Sequence, residues 1–239
     1  MAQLGGAGGT RHRGVMHNVI IGASGGIGLA LADALDARGE TVCRLSRSGT
    51  GLDLCNEASI AEAAALLGAS PIDRLIVATG LLHQPGHLPE RSLRDLDFAR
   101  LMTSFAVNAV GPALVLKHFT PLLRRDGRSV AALLSARVGS IADNRLGGWY
   151  GYRAAKSALN QFVRSAAIEL KRSRPDGIVV ALHPGTVDTP MSRPFQANVA
   201  TDKLFAPSLA AEQLLGVIDG LTSGDSGGFY DWQGKAIAF

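Results

Sequence analysis

The chain has 239 residues, 46% hydrophobic and 18% charged, with 29 glycines, 10 prolines and two cysteines. That apolar fraction excludes a disordered or charge-rich tail protein, which could not offset its ordering entropy, and the length suits one large domain. The net charge of +4 raises the question of nucleic acid, but the basic residues are scattered. The tightest pairs, Arg124-Arg125 and Lys171-Arg172, end helical stretches, where cations complement the helix dipole. No nucleic-acid partner is expected. Cys43 and Cys55 are too few to staple the fold, and their spacing suits no zinc site. The expectation is a reducing, cytoplasmic setting and no metal. No apolar run approaches the ~18 residues of a membrane span, so no membrane association is expected.

Residues 1–16 are rich in glycine and lack both apolar periodicity and the core of a signal peptide, which predicts a flexible tail before a domain over 17–239. From there short apolar runs alternate with helical stretches. Val19–Ile21, Thr41–Leu45, Leu75–Ala78, Val130–Leu134 and Ile178–Leu182 are nearly unbroken apolar runs, as expected of parallel strands buried on both faces. Between them Gly26–Arg38, Asn56–Leu67, Leu93–Arg125 and Tyr152–Arg172 are amphipathic, the last carrying Leu159, Phe162, Val163, Ala166 and Leu170 at helical spacing. This alternation predicts an α/β fold, a doubly wound parallel sheet in one domain.

The first strand runs into Gly22-Ala23-Ser24-Gly25-Gly26-Ile27-Gly28 and then a helix. Glycines there permit a tight turn and close approach to a pyrophosphate seated on the helix N-terminus. The plain alternative is a glycine-rich turn, but the position between strand and helix favours the cradle. After the second strand an NAD site would carry Asp or Glu to hold the ribose hydroxyls. The stretch here is Arg44-Leu45-Ser46-Arg47-Ser48, without a carboxylate. A guanidinium fork suits a 2′-phosphate, so Ser46 and Arg47 predict NADP(H) as the preferred cofactor, with NAD(H) as the alternative. In Tyr152-Arg153-Ala154-Ala155-Lys156, tyrosine and lysine stand at i and i+4 on one helix face. A nearby ammonium favours the tyrosinate and suits Tyr152 to acid–base work. In Asn108-Ala109-Val110-Gly111-Pro112, the proline has no N–H for the carbonyl four residues back, which frees the Asn108 carbonyl to hold a water, kinks the long helix at Gly111-Pro112, or does both.

The spacing Gly22-x3-Gly26-x-Gly28, followed 130 residues later by Tyr-x3-Lys, resembles the short-chain dehydrogenase/reductase family. Gly147–Arg153 and the ending Gly228–Gly234 are similar to its branch of C-factor-like and sniffer-type carbonyl reductases. The resemblance implies a Rossmann-type fold that transfers hydride between NADP(H) and a small-molecule carbonyl or alcohol. It implies Tyr152 as general acid/base, Lys156 as its partner on the ribose, and Asn108 as holder of a relay water. The cofactor-binding set is then Gly22, Ser24, Gly26, Ile27 and Gly28 at the cradle, Ser46 and Arg47 at the 2′-phosphate, and Asp53 and Leu54 at the adenine. Gly80 allows close approach, and Pro184, Gly185, Val187 and Thr189 match the Pro-Gly-x-x-x-Thr stretch near the nicotinamide. His183 reads as structural. Homodimers or homotetramers through the helices of Asn108 and Tyr152 are implied as well.

Four positions depart from the family pattern, one of them Ala155, where the tyrosine motif usually carries Ser before its Lys. The carbonyl-binding serine of Ser-Ser-x-x-Gly falls on Ala136, which leaves Ser135, or else Ser140, to serve. The usual Asn-Ala-Gly is Ala78-Thr79-Gly80, and Gly25 stands where many NADP-preferring relatives carry a basic residue. A cofactor-binding sensor or signalling protein with little turnover is therefore the competing class. Ser192–Pro207 reads as an active-site lid, with Phe195 and Phe205 as apolar walls.

Overall fold

The computed structural model describes residues 16–68, 70–84 and 86–239. Of the expected N-terminal tail, residues 1–15 lie outside these, and Met16 already belongs to the domain, its carbonyl accepting the Thr41 N–H at 3.1 Å. The apolar runs become strands β1 (His17–Ile21), β2 (Thr41–Leu45), β3 (Arg74–Val77), β4 (Ser129–Leu134) and β5 (Gly177–His183). Sequence periodicity missed three short ones, β6 (Thr186–Val187), β7 (Leu204–Phe205) and β8 (Phe229–Asp231). The main sheet has the order β2-β1-β3-β4-β5-β8 with every pair parallel. The chain moves from β1 out to β2 and returns on the other side of β1. Strands β1 and β3 thus flank a topological switch point, whose carboxyl ends open a crevice for ligand.

Among the described residues the α-helices are α1 (Gly26–Ala37), α2 (Arg47–Thr50), α3 (Glu57–Leu66), α4 (Phe98–Phe105), α5 (Gly111–Phe119), α6 (Tyr150–Lys171) and α7 (Pro207–Gly220). Alternate strand residues face opposite ways. Ile20, Ile76, Val130 and Val180 pack with Leu31 and Leu35 of α1 and Leu214 and Ile218 of α7. Val19, Leu75, Ala131 and Val179 pack with Ile60 of α3, Phe119 of α5 and Leu159 and Val163 of α6. Each such buried Val, Ile, Leu or Phe side chain contributes roughly 1.5–3 kcal/mol.

The single helix expected over Leu93–Arg125 is broken. Asp97 caps α4 by accepting the Arg100 N–H at 2.9 Å, and a π-helical turn over Ala106–Val110 separates α4 from α5. Its cause is chemical: Pro112 offers no N–H to the Asn108 carbonyl, and the Gly111 N–H bonds instead to Ala106 O, five residues back. The whole stretch Phe98–Leu122 is long and apolar enough, by length and composition, to cross a membrane, an exception to the sequence expectation. Here Val115, Leu116 and Phe119 of that stretch are buried in the domain core.

Candidate active site

The loop after β1 is shaped by its glycines. Gly22 has φ +90°, and its N–H and that of Ala23 both donate to Leu45 O at the end of β2, at 2.8 and 3.1 Å. A Cβ at Gly22 would stand 2.7 Å from Ala78 O, and one at Gly28 would stand 2.2 Å from Gly22 O, so neither position has room for a side chain. Helix α1 has no side-chain cap and no acidic residue in its first turn. Its first amides therefore remain available to an anion. Ser24 is exposed at the loop tip, and Ile27 packs with Val187 and Trp232 beneath it.

The segment after β5 meets this cradle. Pro184 and Gly185 turn the chain, Val187 is buried, and Thr189 crosses the start of α1, its methyl 2.8 Å from where a Gly26 Cβ would be. The structure thus brings together two segments that lie some 160 residues apart. Phe205 is not a cleft wall as expected. It is 7% exposed and packs edge-on against Trp232 at 4.7 Å, because β6 pairs with β7 and draws it inward. Phe195 stands edge-on to His83 at 5.8 Å and Trp149 at 5.0 Å, next to the residues that line the Tyr152 cleft.

At the end of β2, Ser46 is buried and caps α2 by accepting the Gly49 N–H at 3.0 Å. Arg47 is exposed and, among the described residues, makes no side-chain hydrogen bond or ion pair. Arg44 points elsewhere, bonded to Asp33 at 2.9 Å and to Asp36. Asp53 accepts the Cys55 N–H at 2.9 Å, and Leu54 is buried against Gly111 of α5.

The proposed proton-handling groups converge at the carboxyl end of the sheet. A Cβ on Gly80 would stand 3.4 Å from Asn108 Oδ1 and 3.7 Å from Lys156 Nζ. Asn108, fully buried in the π-helical turn, accepts the Leu81 N–H at 2.9 Å and donates to Leu81 O at 2.8 Å and Ser104 O at 3.0 Å. Its side chain thereby replaces a neighbouring strand for Leu81, on the segment that leads from Gly80 into the cleft. Lys156 is 2% exposed, donates to Leu134 O at 2.8 Å, and lies 5.7 Å from the Tyr152 ring centroid. Burial pushes its ammonium down to about 7. Burial also raises the Tyr152 phenol well above its ordinary value. Among the described residues the Tyr152 hydroxyl has no hydrogen-bond partner, and its ring lines a cleft with Leu81, His83, His87, Glu90 and Arg100.

The serine expectation meets a different geometry. Ser135 is 4% exposed, and its hydroxyl donates to Asn160 Oδ1 at 2.7 Å, into the body of the domain. Ser140 is 1% exposed and accepts the Asp143 N–H at 3.0 Å. Both hydroxyls serve buried or loop groups instead of the cleft, because Asn160 on α6 and the turn at Asp143 claim them. Ser135→Ala should therefore cost about 1–3 kcal/mol of stability by stranding the Asn160 oxygen. Any turnover should stay within about threefold of wild type. Thermal melts and steady-state rates on the one variant check both halves.

Sequence reading passed over three features. Thr79 Oγ1 is buried with no partner among the described residues, next to Gly80. Trp149 takes φ +51° at the start of α6, and Glu90 is buried beside it. Only the Thr79 departure from the family pattern could have flagged one of these. At His183, burial and then Arg137 push the imidazole down to about 4, so it is neutral at pH 7.

Comparison with known proteins gives the family and the fold. A family profile described as enoyl-(acyl carrier protein) reductase matches residues 23–215. C-signal of Myxococcus xanthus is 40% identical over 147 residues, which are 61% of this chain and 82% of that one. NADPH-bound carbonyl reductase from chicken fatty liver superposes with a TM-score of 0.82 at 24% identity, over 94% of this chain and 99% of that one. Carbonyl reductase Sniffer of D. melanogaster gives 0.80 at 22% identity, over 95% of this chain and all of that one, 100%. At such identities the two structures establish likeness of fold. The profile match, which runs from the glycine loop into α7, and the identity to C-signal make this chain a member of the short-chain dehydrogenase/reductase family of oxidoreductases.

Proposed function

We propose that the chain is an NADP(H)-dependent reductase that interconverts a small-molecule carbonyl and its alcohol, with Tyr152 as the proton donor and acceptor. The observation that carries this is the convergence of Tyr152, Lys156, Gly80 and Asn108 beside an uncapped α1 N-terminus at the switch point. The residues fit a nicotinamide dinucleotide: a tight loop at Gly22, Gly26 and Gly28 that leaves no room for a Cβ, a Thr79 hydroxyl without a partner among the described residues, and an Arg47 unpaired among them for a 2′-phosphate. When bound, that cofactor supplies the hydride. Tyr152 Oη gives its proton to the substrate oxygen in reduction and takes it back in oxidation. Lys156 steadies the developing phenolate and holds ribose hydroxyls, and the Asn108 carbonyl holds the water through which the proton is replaced. Ser24, Ile27, Asp53, Leu54, Pro184, Gly185, Val187 and Thr189 complete the cofactor contacts. Ser135 supports this site from behind, through Asn160.

The first experiment is separate titration with NADPH and NADH, followed by a panel of carbonyls on the tighter cofactor. Arg47→Ala should weaken NADPH about 10–100-fold, the worth of a charged hydrogen bond or two, and leave NADH within about twofold. Equal losses for both would remove Arg47 from the 2′-phosphate. The inward turn of Ser135 and Ser140, which leaves Ala136 at the carbonyl-binding position, favours a second reading. In it the chain is a cofactor-binding sensor or signalling protein with little turnover, and tight NADPH binding without oxidation on any carbonyl would select it. Unpaired Cys43 and Cys55 favour a reducing, cytoplasmic setting. The exposed Phe98, Met102 and Val110 on α4 and its extension, with Phe162 on α6, favour a homodimer or homotetramer.

A further inference from the structure

Helix α6 carries both Tyr152 and Lys156 yet has no cap of its own: Trp149 stands at its N-cap, and its first turn holds no acid. Four unpaired N–H groups at a helix start need acceptors from somewhere. Residue 90 supplies two of them from across the cleft. Its backbone carbonyl accepts the Trp149 N–H at 2.6 Å, and its carboxylate Oε2 accepts the Gly151 N–H at 3.2 Å. Glu90 is 8% exposed and has no cationic partner among the described residues. A buried carboxylate so placed is sustained by the positive end of a 22-residue helix.

The clasp also holds an unusual backbone. Trp149 is the only non-glycine with positive φ among the described residues, a conformation that costs free energy for a bulky side chain and persists only where its surroundings enforce it. Those surroundings are Glu90 on one side and, on the other, the Arg153 guanidinium, which donates to Gly147 O at 3.2 Å and Gly148 O at 3.0 Å. In this conformation the indole stands edge-on both to Tyr152, at 6.5 Å between centroids, and to Phe195 of the lid, at 5.0 Å. Gly151 is equally constrained: a Cβ there would stand 3.0 Å from Glu90 Oε1 and 3.1 Å from Leu101 Cδ2.

We infer that Glu90 is a positioning residue for Tyr152: by clasping the first turn of α6 it sets the phenol in the cleft and holds the Trp149 indole against the lid. This rests on the reading of Tyr152 as the proton donor. The role belongs to the reach of an acceptor oxygen, so charge is not required. Glu90→Gln keeps the acceptor, Glu90→Asp keeps the charge but withdraws it from Gly151, and Glu90→Leu removes both.

The test measures kcat and KM for these three variants with NADPH and whichever carbonyl turns over. Trp149 emission and acrylamide quenching are followed in a Trp232→Phe background, where Trp149 is the only indole. Glu90→Leu and Glu90→Asp are expected to lower kcat about tenfold with KM for NADPH within about twofold, and to expose Trp149 to quencher. Glu90→Gln is expected within about threefold of wild type on every readout. A leucine variant that fails to fold leaves the aspartate variant to decide. Lower melting temperature with unchanged kcat and unchanged Trp149 emission would make Glu90 a mere helix cap and overturn the inference, as would a glutamine variant as impaired as leucine. Undiminished turnover in Tyr152→Phe would instead sink the reading of Tyr152, and the emission data would still report on the clasp.

Discussion

Tyr152→Phe is expected to remove carbonyl reduction, by about 10²–10⁴-fold in kcat, while NADPH binds as before. The substitution deletes one oxygen and keeps the ring that faces Trp149 and the Lys156 ammonium. The glycine loop and Arg47, proposed to bind the cofactor, are untouched, so the loss would belong to proton transfer. Burial raises the phenol, which keeps Tyr152 protonated through neutral pH and ready to donate. Tyr152 protonation should therefore not limit reduction at neutral pH, but reduction should fall above about pH 7, where Lys156 gives up its charge, whereas alcohol oxidation, which needs the phenolate, should climb with pH. Steady-state NADPH oxidation, run beside a fluorescence titration of the cofactor, checks the claim. A phenylalanine variant within about threefold of wild type would remove Tyr152 from the chemistry.

Lys156 carries the second large expectation, and it concerns the stability of the cofactor-free protein. Unfolded, a lysine titrates near 10.5; folded here, burial brings Lys156 to about 7. Between those values the unfolded chain binds more protons than the native one, so stability rises with pH across that window. The rise should be on the order of a few kcal/mol, or roughly 5–10 °C in melting temperature for a domain of this size. It should end near pH 10, where the raised Tyr152 works in the opposite direction, since the native phenol keeps its proton while the unfolded one loses it. Lys156→Met removes the buried ammonium and should flatten the curve between pH 7 and 10. Melts across that range are decisive, and a wild-type curve as flat as the variant's would show that Lys156 stays charged in its site.

The strands and the glycine loop were legible because their signals are local. A run such as Val19-Ile20-Ile21 is apolar at every position only where both faces of a strand are covered, and Gly22 is glycine because φ +90° and the Ala78 carbonyl leave nothing else room. The pair Tyr152 and Lys156 was legible for the same reason, since one helix sets their relation. The break in Leu93–Arg125 was legible in part: Gly111-Pro112 signals a kink and a freed Asn108 carbonyl, but not the π-helical turn that makes it.

What the chain's own order determined, then, is strands β1 to β5 with helices α1, α3 and α6, the glycine loop, the tyrosine–lysine face and the stretch from Pro184 to Thr189. Each depends on spacing within one element or on one residue's steric limits. Tertiary structure alone decided where the remaining polar groups turn. Ser135 faces Asn160 instead of the cleft, the Asn108 side chain satisfies both backbone groups of Leu81, and Glu90 clasps Gly151 from 61 positions away. Phe205 left the lid for the core because β6 found β7. These outcomes turn on hydrogen-bond partners brought within about 3 Å by packing of whole elements. Such a distance is set by the sum of many side-chain volumes, and no local pattern of residues encodes it.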